Sequence, residues 1–298
     1  MENNKVSFRG GKLKKKVISV LIVLLFLFFI GIMDYPYVTR LINEGDQTQM
    51  VNEYYDVVKK MNKAQIDEEI KKAEEYNKSL QNGISKQAFS DSFDVKDTGN
   101  NQYNNLLDVT KNGVMATIEI PKIKVNLPIY HTTNEYSLEN GVGHLEGSSL
   151  PVGGENTHTC LSAHRGLPSE TLFTDLDQIT VGDKFFITVY EKKLAYEVYD
   201  IETVSPEETS GLKIQENKDL ATLITCTPYG VNSHRIYVHG QNVPYEDGDN
   251  SDKTYDLLEL LKNWWWVLAT ILLLVWLVFL LRHFNKKPIK QKTNSRSK

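Results

Sequence analysis

Two stretches without a charged residue constrain this chain more than any other feature. Residues 17–33 are apolar apart from Ser19 and Gly31, and in 264–281 Thr270 is the sole polar group. At about 1.5 Å of rise per residue each would span roughly 26 Å as a helix, close to the thickness of a bilayer core. A helix buried in a soluble domain keeps a polar face, and neither stretch has one. Both are therefore expected to be membrane helices, with the run Trp264–Trp266 placed as an interfacial belt. No small-residue cleavage site follows the first, where the chain reads GIMDYPYVTR, so an uncleaved anchor is expected rather than a signal peptide.

Charge follows the same division. The formal net charge is −4, but 1–16 carries six bases against one acid, and 282–298 carries seven bases and no acid. The intervening 34–263 holds 21 bases and 37 acids. Lys and Arg thus flank the outer end of both apolar stretches, which places both tails in the cytoplasm and the acidic middle outside. Bases confined to tails do not make a nucleic-acid surface, so no nucleic-acid partner is expected. With 41% hydrophobic and 24% charged residues, the chain is neither a disordered polymer nor a coiled-coil rod.

Within the middle segment, Val51, Tyr54, Tyr55, Val58 and Met61, then Ile66, Ile70, Ala73 and Leu80, recur at helical spacing. They predict helix from Asp46 to about Gly83, broken near Asn62, with acid-before-base pairs Asp67–Lys71 and Glu68–Lys72. Residues 84–112 turn to Asn, Asp, Ser and Gly with isolated Phe89, Phe93 and Tyr103, which reads as a solvated linker or as an ordered loop covering something. From Val114 onward, 116–120, 125–130, 157–163, 184–190, 194–204, 221–226 and 235–240 are short β-branched and aromatic runs punctuated by Gly, Pro and Asn. Short strands without long intervening helices predict a closed barrel or a sandwich.

Three residues at strand ends can carry chemistry. Cys226 closes ATLITC before TPYG, His164 closes THTCLSAH before RGLP, and Arg235 opens the strand after Cys226. Each taken singly has an ordinary reading: a buried small thiol, a loop histidine, a solvated charge. Together they supply a nucleophile, a proton carrier and a fixed set of oxyanion donors. Cys160 lies four strand residues before His164, roughly 13 Å along an extended chain. That is too far for a disulfide if His164 stands beside Cys226, so a packed free thiol is expected. His131, His144, His158, His234 and His239 show no metal-ligand spacing, and no phosphate or dinucleotide loop is present, so no metal and no cofactor are expected.

At these residues the sequence resembles a known family. TLITCTPYGVNSHRIYVHG (222–240) resembles the sortase TLxTC signature with its downstream Arg. GVGHLEGSSLPVGGENTHTCLSAHRGLP (141–168) resembles the segment that carries the sortase His, and IEIPKIKVNLPIYHTT (118–133) resembles the opening strands of the sortase barrel. Over about 46–242 the likeness is to class C, the pilus-assembling branch. The resemblance implies a mainly β fold, an eight-stranded sortase-type barrel with an N-terminal helical extension and a lid loop, on two membrane helices. It implies a cysteine transpeptidase of a Gram-positive-type cell surface. Cys226 would attack the Thr–Gly bond of an LPxTG-like signal, His164 would protonate the leaving amine and Arg235 would hold the oxyanion. A pilin Lys would resolve the acyl-enzyme as an isopeptide. The class C lid motif, Asp-Pro-aromatic, is matched by Asp91 and Phe93, with Ser92 in the place of Pro. The alternatives are a sortase that anchors surface proteins to the cell wall, a cysteine protease and a catalytically decayed binding module.

The resulting division is a basic tail (1–16), a membrane helix (17–33), a helical extension (34–83), a lid or linker loop (84–112) and the barrel (113–242). An acidic stalk (243–263), a second membrane helix (264–281) and a second basic tail (282–298) complete it.

Overall fold

The computed structural model describes residues 6–80, 101–246, 269–276 and 279. The chain forms two compact units, 1–35 with 252–298, and 36–251.

In the first unit the described residues are helical. Helix α1 (Val6–Val58) begins there and passes through 17–33 without a break. Leu21, Leu25, Phe28 and Phe29 stand 57–63% exposed, an apolar surface suited to lipid. Among the described residues this is the one helix long and apolar enough to cross a membrane. Of the expected second span only 269–276 and 279 are described, and they are helical.

In the second unit, α1 continues to Val58 with Pro36 inside it. Helix α2 (Lys63–Ser79) restarts at a capping box, in which the Asn62 side chain accepts from the Gln65 N–H and the Gln65 side chain accepts from the Asn62 N–H. This gives the expected break near Asn62 its cause. Val51, Tyr54 and Val58 of α1 and Ile66 and Ala73 of α2 are buried, the heptad-like spacing of one helix face. Polar contacts help to fix that face on the barrel. The Tyr54 hydroxyl accepts from the Tyr190 N–H at 2.7 Å. The Asn77 amide clasps Leu150, donating to its carbonyl at 3.1 Å and accepting from its N–H at 2.7 Å. One expected surface pair is replaced: Lys71 reaches forward to Glu75 instead of back to Asp67, while Lys72 pairs with both Glu68 and Glu69. These are exposed pairs, weakly held, and either acid is within a lysine's reach.

After residue 100, the short helix α3 (Asn101–Asn104) leads into eight strands: β1 (Val114–Ile120), β2 (Val125–Tyr130), β3 (Val142–His144), β4 (Thr157–Ser162), β5 (Lys184–Val189), β6 (Lys192–Val204), β7 (Asp219–Thr227) and β8 (His234–Val243). They close into a barrel in the order β1-β2-β3-β4-β7-β8-β6-β5, β5 returning to β1. Closure leaves the barrel with no free sheet edge. The pairs β2–β3 and β4–β7 are parallel, the others antiparallel. Parallel neighbours need a crossover, and helix α4 (Glu135–Asn140), capped by Asn134, lies in the one between β2 and β3.

The β-branched and aromatic runs predict seven of these strands and pass over β3. Three residues are too few to show a period, and the central one is Gly143. A Cβ there would lie 2.6 Å from the Thr132 carbonyl oxygen and 3.0 Å from the Thr133 Cα, so the backbone of the crossover packs where a side chain would stand.

The core runs from the α1–α2 face through the barrel interior, with Phe185 and Tyr196 stacked at 5.4 Å. Tyr103 is fully buried, its hydroxyl 2.7 Å from His144 Nδ1, so the C-terminal part of 84–112 is packed rather than solvated. Burial holds His144 and His158 down at about 4, which keeps both imidazoles neutral near pH 7 as hydrogen-bonding core groups.

Candidate active site

One end of the barrel gathers the three residues the sequence singled out. β7 delivers Cys226, and directly across the antiparallel pair the register places Arg235 of β8. On the other side of β7 lies β4, in parallel register with Ser162 beside Ile224. The chain stays beside β7 for one more residue, because the Ala163 N–H donates to the Ile224 carbonyl at 3.2 Å and the Thr225 hydroxyl donates to the Ala163 carbonyl at 2.8 Å. His164 follows Ala163 just past the end of β4, and the strand order puts β4 and β8 on opposite sides of β7, so the segment carrying His164 and the strand carrying Arg235 flank the strand of Cys226.

Cys226 is buried at 4% exposure, while His164 and Arg235 are half-buried. Burial pushes the Cys226 thiol up, and the Arg235 charge draws it partly back. Burial pushes His164 down, against the carboxylates of Glu139 and Glu135 on α4, which raise it. Near neutral pH the pair thus rests as a thiol and a neutral imidazole. Arg235 Nη1 donates to the carbonyls of Asn232 and His234, both at 3.0 Å, which anchors the guanidinium on the β7–β8 loop.

Cys160 pairs in register with Thr222, four residues from Cys226 along β7, and both thiols are free. It packs with Leu145, Ile224 and Tyr237, and burial pushes its thiol far up. Asp91 and Phe93 lie outside the described residues. The two α4 carboxylates near His164 carry no signal in the sequence: both are exposed acids on a six-residue helix more than twenty residues upstream.

Residues 118–243 match the model of the Sortase domain. The crystal structure of sortase C-1 from Streptococcus pneumoniae superposes with a TM-score of 0.62 at 39% identity, covering 66% of this chain and 100% of that one. The chain belongs to the sortase family. A sortase C-1 from Actinomyces oris is 45% identical with a TM-score of 0.57, over 61% of this chain and 99% of that one. The structural neighbours are class C sortases. Among curated relatives, Sortase D of Bacillus subtilis is 33% identical over 129 residues, 42% of this chain; the match spans 62% of that protein's length.

The two opposed influences on Cys226 give a testable pH dependence in this sortase. Thiolate is the form that alkylates. In a Cys160→Ala background, the rate of iodoacetamide labelling is expected to rise with pH to a midpoint above that of an ordinary thiol. Arg235→Ala removes the charge that draws the thiol down and should move the midpoint higher. A midpoint that falls in Arg235→Ala would contradict this electrostatic account.

Proposed function

We propose that this sortase is a membrane-anchored cysteine transpeptidase that polymerises pilins. Cys226 gives its thiol proton to His164, and its Sγ attacks the Thr carbonyl carbon of an LPxTG-like signal. The oxyanion that forms is held by Arg235, whose planar fork of donors suits it. The tetrahedral adduct collapses as the C–N bond to Gly breaks. His164, protonated at that moment, gives its proton to the departing amine. The acyl group is left as a thioester on Cys226. The amine of a pilin Lys then attacks the thioester carbonyl, passes a proton to His164 and expels the thiolate, which leaves an isopeptide bond.

The observation that supports this reading is the cross-strand pairing of Cys226 with Arg235, with the segment that carries His164 leaving β4 on the other side of β7. The class C neighbours support the pilin substrate. Among them are a Streptococcus pneumoniae sortase C analysed for its pilin substrate specificity and the sortase C1 of GBS Pilus Island 1. The full chain in detergent, mixed with a pilin bearing such a signal, should yield a ladder of covalent multimers on a denaturing gel. The second reading is attachment of single proteins to the cell wall. That reading predicts one adduct with a wall-type amine and no ladder.

The charge pattern supports two membrane spans, with both tails inside and 34–263 outside. Protease added to wall-stripped cells should digest the middle and spare both tails; a C-terminal tag accessible from outside would refute this topology.

A further inference from the structure

Arg165 follows His164 and is absent from the chemistry above, yet its side chain is 8% exposed. A buried guanidinium is retained only where its donors are satisfied, and here three nitrogens bond to three different places. Nε donates to the Thr174 carbonyl at 3.0 Å, Nη1 to the Thr227 hydroxyl at 3.2 Å, and Nη2 to the Asp177 carboxylate. Thr227 is the residue after Cys226. One rigid plane therefore ties the neighbour of His164 to the neighbour of Cys226 and to the loop between β4 and β5. The same loop is fixed to His164 itself, since the Phe173 N–H donates to the His164 carbonyl at 3.1 Å and the Gly166 N–H donates to the Thr174 hydroxyl at 3.1 Å. Three of its five N–H donors are thus engaged by three separate acceptors, which fixes the plane of the guanidinium.

We propose that Arg165 is a positioning residue that sets His164 against Cys226 through Thr227, Thr174 and Asp177. The inference rests on the transpeptidase reading. Proton transfer to the leaving amine is sensitive to such placement, and a displacement of about 1 Å can cost about 10²-fold in rate. A lysine keeps the charge and the reach to Asp177 but replaces a planar fork by a point charge. A residue that only balanced Asp177 would be rescued by lysine; one that sets geometry would not.

The test measures kcat and KM of the full chain in detergent with a quenched fluorogenic peptide containing Leu-Pro-Glu-Thr-Gly. Arg165→Lys and Arg165→Met are each expected to lower kcat by about 10- to 100-fold with KM little changed. Should Arg165→Met fail to fold, Thr227→Val keeps the test open, because it deletes one hydroxyl from a half-buried site. It is expected to lower kcat several-fold, and to add nothing further when combined with Arg165→Lys. Wild-type kcat in Arg165→Lys or in Thr227→Val, alongside an active wild type, would overturn the positioning role alone. A wild-type chain that never cleaves the peptide would overturn the transpeptidase reading, and this role with it.

Discussion

Cys226→Ala is expected to abolish peptide cleavage, thioester and polymer together, a loss of about 10⁴-fold or more. The reason is chemical rather than conformational. A methyl group fits the buried position at the end of β7, and the second thiol, Cys160, lies four strand residues away with burial holding it protonated. No other group at this end of the barrel can form the thioester. His164→Ala should cost about 10²- to 10⁴-fold, the usual contribution of a placed proton carrier. Arg235→Lys should cost about 10²- to 10³-fold, the usual worth of an oxyanion donor. The readouts are cleavage of the sorting peptide and intact mass of the full chain quenched during turnover. The acyl adduct should appear in the wild type and be missing from Cys226→Ala. Retained cleavage in Cys226→Ala would end the assignment of the nucleophile.

Phe173→Ala is expected to be the most damaging single change to the fold near this site. The ring is fully buried in the main core, in the loop after β4 rather than in a strand. Truncating a buried Phe to Ala costs about 3–5 kcal/mol, because the transfer term and the residual cavity add. For a body of this size that is about 10 °C in the melting midpoint. Phe173→Leu refills part of the volume and should lose less than half as much. The site should suffer with the core, since the Phe173 N–H holds the His164 carbonyl. Thermal unfolding of the full chain in detergent, followed by near-UV circular dichroism, measures this. A shift below about 2 °C for Phe173→Ala would mean that the loop is not part of the core.

The strands were legible because their signal is local, though that signal left barrel and sandwich open. Each strand from β4 to β8 contains a run rich in β-branched or aromatic residues, and the turns between them carry Gly, Pro and Asn. The start of α2 was legible for the same reason, since Asn62 and Gln65 make a capping box within four residues. β3 was not, because its strand character comes from being wedged between β2 and β4 and not from its own three residues. Lys71 shows a smaller version of this: two acids lie within its reach, and spacing alone does not choose between them.

The amino-acid sequence by itself determined the kinds of residue available for chemistry and their places at the ends of strands, because strand ends are marked by their own neighbours. It likewise determined the apolar stretch that emerges as an exposed helix. Only the tertiary structure decided which strand ends meet. Barrel closure brings β4 and β7 together in parallel, although β5 and β6 lie between them in sequence, and that pairing brings the segment carrying His164 alongside the strand of Cys226. It also decided the electrostatics, since the burial that raises the thiol and the α4 carboxylates that face His164 belong to chain segments brought together by closure. Arg165 shows the limit most plainly. In the sequence it is one more basic residue in a turn, and its three acceptors lie 9, 12 and 62 residues away. Such separations leave no periodic trace, because hydrogen bonds between distant segments are fixed by how the chain closes and not by the residues next to them.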